Sequence, residues 1–316
     1  MGRILVTPRS VTQHGHPSLR RLAAAGYEVV LGPPGRQPTE AELLGALPGC
    51  VGYVAGVEPV SARVLAAASG LRAISRNGTG TDNIDAVSAA SQGIAVFRAE
   101  GANARGVAEL TFALIFALVR DLSQNDAALK RDQWIRRQGI ELERRTLGLI
   151  GCGRVGRIVA GIAGTLGMEV IASDPLAEGK YYPGEFFRFV PTNEVFRRAE
   201  ILSLHCPPSP DGRPILDRDA LASSRRGVFV VNTARFDLID PAAMLSALDS
   251  GHVAGLGLDV FAEEPPKDPT LVRHSRVIAT SHVGGFTQES VDRAMDAAVD
   301  NLLQALAAPR AEREVS

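Results

Sequence analysis

Short apolar runs alternate with stretches of helical spacing through the first hundred residues. "RILVT" (3–7), "YEVVLG" (27–32), "CVGYVAG" (50–56), "LRAISR" (71–76) and "IAVFR" (94–98) are too short for helices and too apolar for strands with one wet face. They predict strands buried on both sides. Between them "PSLRRLAAAG", "TEAELLGAL", "SARVLAAASG" and "NIDAVSAASQG" repeat their apolar residues every three or four positions, and several close on glycine, the usual helix stop. The alternation predicts a parallel sheet with helices on both faces.

From about Val107 the spacing predicts one long helix reaching Trp134, apolar nearly all round in its first half, which suits a core or a second subunit. A second series follows: "TLGLI" (146–150), "MEVIASD" (168–174), "ILSLH" (201–205), "GVFVVNT" (227–233), "VAGLGLDV" (253–260) and "RVIATSH" (276–282), with a last helical pattern over 287–306. Two successive sheets predict an α/β fold of two doubly wound parallel-sheet domains with a cleft between them.

Composition narrows the partners. With 45% hydrophobic and 22% charged residues the chain is globular rather than disordered. Lys and Arg (34) balance Asp and Glu (35), so no global field draws the chain to nucleic acid or to a membrane surface. Any anion must be recognised by local clusters. No apolar run approaches a membrane span, and "MGRILVTPRS" lacks the apolar core of a signal peptide. Cys50, Cys152 and Cys206 lie far apart without zinc-site spacing and read as reduced thiols. A cytoplasmic protein without a metal is expected.

"TLGLIGCGRVGRIVAGIAGTLGMEVIASD" places Gly151, Gly153 and Gly156 between a strand and a helix, with Asp174 ending the next strand. In that context the first glycine makes the tight turn, the second lets backbone approach a pyrophosphate and the third lets helix and strand pack. The helix N-terminus offers N–H groups to phosphate. Asp174 can accept bonds from both ribose hydroxyls and repels a 2′-phosphate, so NAD is favoured over NADP. A ligand-free glycine turn and an adenosylmethionine site are the competing readings. Cys152 has no base beside it and is not read as a nucleophile.

Three later strand ends carry ionisable groups: Arg235 in "NTARF", Glu264 in "LDVFAEEPP" and His282 in "SHVGG". Ligands of open α/β sheets bind beyond the carboxyl ends of strands. A guanidinium there can grip a carboxylate in a fork, an imidazole can exchange the hydroxyl proton during hydride transfer, and a carboxylate can fix the imidazole tautomer. Each also has a structural reading: Arg235 as an ion-pair partner, Glu264 as a solvated acid, His282 as a helix cap.

Taken in order, "SRNGTGTDNID" (75–85), "GVAEL" (106–110), "GLIGCGRVGR" (148–157), "SDP" (173–175), "HCPPSPDG" (205–212), "NTAR" (232–235), "LDVFAEEPP" (258–266) and "SHVGG" (281–285) resemble the D-2-hydroxyacid dehydrogenase family, phosphoglycerate dehydrogenase-like branch. The resemblance implies a flavodoxin-like substrate domain over 1–100 and 284–316 and a Rossmann NAD-binding domain over 101–283. It implies a catalytic set of Arg235, Glu264 and His282, and a substrate loop of Arg76, Asn77, Gly78, Thr79 and Gly80 whose backbone N–H groups at 78–80 bind the carboxylate. It further implies that Val107 flanks the nicotinamide, that Gly153, Arg154 and Val155 hold the pyrophosphate, and that Asp174 and Pro175 meet the ribose. His205, Cys206 and Pro207 would line the cofactor wall, with Thr233, Ala234, Asp259 and Gly284 near the nicotinamide. Homodimers through the NAD-binding domains are implied too, with the Trp134 segment reaching the partner. The substrate would be a small 2-hydroxy or 2-oxo acid. The same scaffold resembles NAD(H)-sensing corepressors, which is the alternative function.

Departures from the family pattern collect around the expected cleft. Phe236 stands where the family has glycine, Gly106 where it has serine, Pro208 and Ser209 where it has Leu-Thr, Gly212 where it has threonine, and Ala55 at the place of a phosphate-contacting arginine. The Phe236 ring either narrows the substrate pocket or turns into packing. Arg76, Arg105 and Arg136 either receive a second anionic group of the substrate or are solvated cations.

Overall fold

A computed structural model describes residues 2–176 and 181–307. Two compact units emerge, one from the chain up to Asn103 and again from Thr287, the other from Ala104–Phe286. The breaks fall at 103/104 and 286/287, three residues beyond the expected 100/101 and 283/284.

In the first unit β1 (Arg3–Val6), β2 (Glu28–Leu31), β3 (Cys50–Ala55), β4 (Ala73–Arg76) and β5 (Ala95–Arg98) form one parallel sheet of order β2-β1-β3-β4-β5. The two-residue period decides the layering. Ile4, Val6 and Val54 meet Met295, Val299 and Leu302 of the helix Gln288–Ala307 on one face. Leu5, Tyr53 and Ile74 meet Leu43, Leu47, Val64 and Leu65 on the other. The helix Glu40–Ala46 starts on a capping box: the Thr39 hydroxyl accepts from Glu42 N–H, and Thr39 N–H donates to the Glu42 carboxylate.

Among the described residues the second unit holds seven parallel strands: β6 (Thr146–Ile150), β7 (Glu169–Ser173), β8 (Phe187–Phe189), β9 (Ile201–Leu204), β10 (Val228–Asn232), β11 (Val253–Leu258) and β12 (Val277–Ala279). Their order is β12-β11-β10-β9-β6-β7-β8. The chain runs outward from β6 to β8, then crosses to β9 on the other side of β6. That reversal makes a switch point between β6 and β9, where such sheets bind ligands.

Two expectations need correction. The single helix from Val107 to Trp134 is two, Ala104–Val119 and Leu122–Leu129. The break comes at Asp121, whose backbone is left-handed (φ 52°), a conformation that ends a right-handed helix. The first helix is buried through Phe112, Leu114 and Ile115 against the sheet, while Leu129, Trp134 and Ile135 beyond the break are exposed. The sheet also has one strand more than the apolar runs predict. Strand β8 is only three residues long and pairs on one side alone, so "FRF" carries no period long enough to read.

Candidate active site

Strand β6 ends at Ile150 and the glycine loop begins. Gly151 has φ 94°, and a Cβ there would lie 2.5 Å from the His205 carbonyl oxygen, so only glycine fits. At Gly156 a Cβ would fall 2.4 Å from the Gly151 carbonyl oxygen, which is the close packing of helix on loop. Gly153 is different: a Cβ there meets nothing within 4 Å. It caps the helix Arg154–Thr165 without any side-chain hydrogen bond, leaving the helix N-terminus facing open space. An anionic group fits that space, because the first-turn N–H groups and the helix dipole both favour negative charge.

Asp174 follows β7, the next strand. Its Oδ2 accepts from Cys152 N–H (2.7 Å) and its Oδ1 from Leu176 N–H (2.9 Å). The acid thus braces the glycine loop, and each carboxylate oxygen can accept more than one bond, so a ribose hydroxyl could share it. Pro175 and an exposed Leu176 continue the edge. Across the switch point, His205 and Cys206 follow β9. The His205 Nε2 lies 2.8 Å from the buried Ser203 hydroxyl, and burial pushes its pKa down to about 4. Burial raises the Cys152 and Cys206 thiols to about 11, which leaves both as packing groups rather than nucleophiles.

The ionisable strand ends come from three neighbours, β10, β11 and β12, all parallel, so their carboxyl ends share one edge. His282 Nδ1 lies 2.7 Å from Glu264 Oε1, and both side chains are about half exposed (48% and 41%), accessible to a ligand. A carboxylate at Nδ1 fixes the proton there and presents Nε2 outward. Arg235 leaves β10 in extended conformation, with Nη1 donating to Ala234 O (2.8 Å).

Two supporting groups hold these ends, Asn232, which the sequence analysis does not single out, and Asp259, which it places near the nicotinamide. Asn232, fully buried, donates from Nδ2 to Arg235 O (2.7 Å) and accepts at Oδ1 from Ala234 N–H (3.1 Å), closing the turn that carries the guanidinium. It was visible inside "NTAR" as a polar residue ending an apolar strand. Asp259, 1% exposed, gathers three donors: the Thr280 hydroxyl (2.6 Å) and Val283 N–H (2.9 Å) on Oδ1, and Gly284 N–H (2.8 Å) on Oδ2. These flank His282, whose backbone is left-handed at φ 54°. That costs a non-glycine residue about 1 kcal/mol, which the bonds to Asp259 offset. Gly284 N–H and Asp259 thus brace one another beside the catalytic histidine. Val107 is buried, and Thr233 meets Thr111 hydroxyl to hydroxyl at 3.1 Å.

The loop Arg76–Gly80 lies in the other unit, at the end of β4. Gly78 N–H donates to Arg76 O (2.8 Å), so it is occupied within its own turn. The Thr79 and Gly80 amides donate to no group among the described residues. The Arg76 guanidinium folds back over Gly78 and donates to Asn77 O. Arg105 pairs with Glu109 one helical turn on, at 2.5 Å on an exposed face. Phe236 is half-buried and packs on the cluster of Leu238, Ile239 and Met244, within its own unit.

This constellation defines a dinucleotide-binding domain with an imidazole–carboxylate pair and a guanidinium at one edge of its sheet. A family model described as D-isomer specific 2-hydroxyacid dehydrogenase, NAD binding domain, matches residues 112–284. D-3-phosphoglycerate dehydrogenase from Homo sapiens is 37% identical over 255 residues, covering 80% of this chain and 48% of that one. The enzyme of the same name from Mycobacterium leprae (strain TN) is 36% identical over 273 residues, covering 85% and 52%. A crystal structure of a Thermus thermophilus protein superposes with TM-score 0.85 at 33% identity, covering 96% of this chain and 97% of that one. The chain belongs to the D-isomer specific 2-hydroxyacid dehydrogenase family, and Ala104–Phe286 contains its NAD-binding domain. It spans about half the length of the phosphoglycerate dehydrogenases it matches.

Proposed function

We propose that the chain catalyses reversible hydride transfer between NAD(H) and C2 of a D-2-hydroxy acid or 2-oxo acid. The observation that carries this reading is the 2.7 Å contact between His282 Nδ1 and Glu264 Oε1, which follow β12 and β11, at the same sheet edge as Arg235 after β10. NAD supplies or accepts the hydride when bound. Arg235 grips the substrate carboxylate in a two-point fork and so fixes the carbon that reacts. His282 Nε2 takes the hydroxyl proton during oxidation and returns it during reduction, while Glu264 holds the ring and balances the imidazolium. Gly153, Arg154 and Val155 receive the pyrophosphate, and Asp174 with Pro175 the ribose, favouring NAD over NADP. His205, Cys206 and Pro207 form the cofactor wall; Val107, Thr233 and Ala234 lie by the nicotinamide.

The substrate in this reading carries a further anionic group, phosphoglycerate-like or phosphonate-like. The names of the relatives support that class. NADH consumption across a panel of 2-oxo acids with and without a distal phosphate tests it. Turnover lost in His282→Asn, a residue that tolerates the left-handed backbone, is the expected result. Undiminished turnover in that variant overturns the mechanism.

The working form in this reading is a cytoplasmic homodimer through the NAD-binding units. Leu122, Leu129, Trp134 and Ile135 are exposed apolar side chains of one unit, and no helix among the described residues is long and apolar enough to cross a membrane. Light scattering on the purified chain distinguishes dimer from monomer.

A further inference from the structure

We propose that Arg157 and Tyr181 form a clamp that presets the glycine loop for the dinucleotide, which makes Arg157 a positioning residue for cofactor binding. The inference rests on the dehydrogenase reading above. Cys152 sits inside the loop, and its peptide groups are held from two directions. Its N–H donates to Asp174 Oδ2 at 2.7 Å, and its carbonyl accepts from Arg157 Nε at 3.1 Å. The guanidinium is itself fixed. Its Cζ lies 5.1 Å from the centroid of the Tyr181 ring, and the Tyr181 hydroxyl donates to the Arg157 carbonyl at 3.0 Å.

Tyr181 in turn stands edge-on to Phe187 (5.2 Å, 86°), and Phe187 edge-on to Phe189 (5.0 Å). Both phenylalanines lie on β8, the short edge strand. A chain of contacts therefore runs from that strand to the loop. A cation stacked on an aromatic face and bonded to a carbonyl has few rotamers left. The bond from Arg157 fixes the Cys152 carbonyl, whose lone pairs would otherwise be free to swing towards a phosphate at the helix N-terminus. With no side-chain cap on that helix, the clamp works beside the Asp174 brace to order the loop before the cofactor arrives, and preorganisation of this kind raises affinity.

The test is NADH binding, followed by fluorescence, in wild type, Arg157→Gln, Tyr181→Leu and the double variant, with Michaelis constants for NADH and for the 2-oxo acid. Each single variant is expected to weaken NADH about tenfold, roughly 1.4 kcal/mol. The double variant should be little worse than either, because both act through one clamp. The 2-oxo acid constant and kcat at saturating NADH should stay within about twofold, and Arg157→Lys should restore part of the affinity. Wild-type affinity in folded Arg157→Gln, or equal losses for NADH and the 2-oxo acid, overturns the proposal. Should Arg157→Gln not fold, Tyr181→Leu reads the same clamp from its other side. A wild-type chain that does not bind NADH overturns the dehydrogenase reading and the clamp with it, whereas NADH binding indifferent to all variants sinks the clamp alone.

Discussion

Glu264 places a carboxylate oxygen 2.7 Å from the Nδ1 of His282, eighteen residues further along the chain and one strand over. Glu264→Gln keeps an acceptor for the Nδ1–H but carries no charge to balance an imidazolium. Steady-state kinetics should show kcat reduced by roughly a hundredfold, with NADH affinity little changed. A variant that turns over like wild type would show that the charge has no part in catalysis.

Asp259 holds both flanks of His282, and the amide of Asp259→Asn would direct an N–H at donors that need an acceptor. The loop 280–284 should rearrange at a cost of about 1–3 kcal/mol. A lowered melting temperature together with a loss of kcat larger than the rise in KM is the expected pattern. Wild-type kinetics in the variant would mean the loop keeps its shape by other means.

The glycines of the loop separate by geometry. Gly151→Ala puts a Cβ within 2.5 Å of the His205 carbonyl and requires an unfavourable φ, so the fold itself should be destabilised. Gly153→Ala has room and should melt like wild type while losing NADH affinity, since its methyl enters the space beside the helix N-terminus. Paired melting curves with and without NADH decide the matter.

Phe236 packs on the core of its own unit, which favours the packing role over a narrowed substrate pocket. Phe236→Gly should then lower stability by about 2 kcal/mol or more through the cavity it leaves. The order of preference among 2-oxo acids should be unchanged. A reordered preference would give the ring a place in the substrate pocket after all.

His205 gives the protein an acid limit. Burial lowers its pKa from 6.5 to about 4. Between those values the unfolded chain binds a proton that the folded chain refuses, so stability is fully present above pH 6.5 and declines as pH falls towards 4. Denaturant titrations at about pH 7.5 and about pH 4.5 should show a smaller difference in His205→Gln than in wild type; equal differences would assign the acid sensitivity to other groups.

Much of the fold was legible in the residues. Among the described residues, eleven of the twelve strands are announced by apolar runs because a strand buried on both faces needs an uninterrupted one, and each run is local. The missing strand, Phe187–Phe189, and the break at Asp121 were not legible: one is too short for a period, and the other turns on a single φ angle that aspartate permits without announcing.

The sequence by itself determined the two α/β halves, the glycine loop after β6 and the identities of Arg235, Glu264 and His282, since apolar period and the steric privilege of glycine are properties of neighbouring residues. Only the tertiary structure decided that Glu264 meets His282 at Nδ1, that Asp259 accepts from the loop 280–284, that Arg157 reaches back to Cys152 under Tyr181, and that the Phe236 ring turns into packing. Those partners are chosen by strand order and loop direction, which bring distant residues to one edge of a sheet and leave no mark in the local pattern of either.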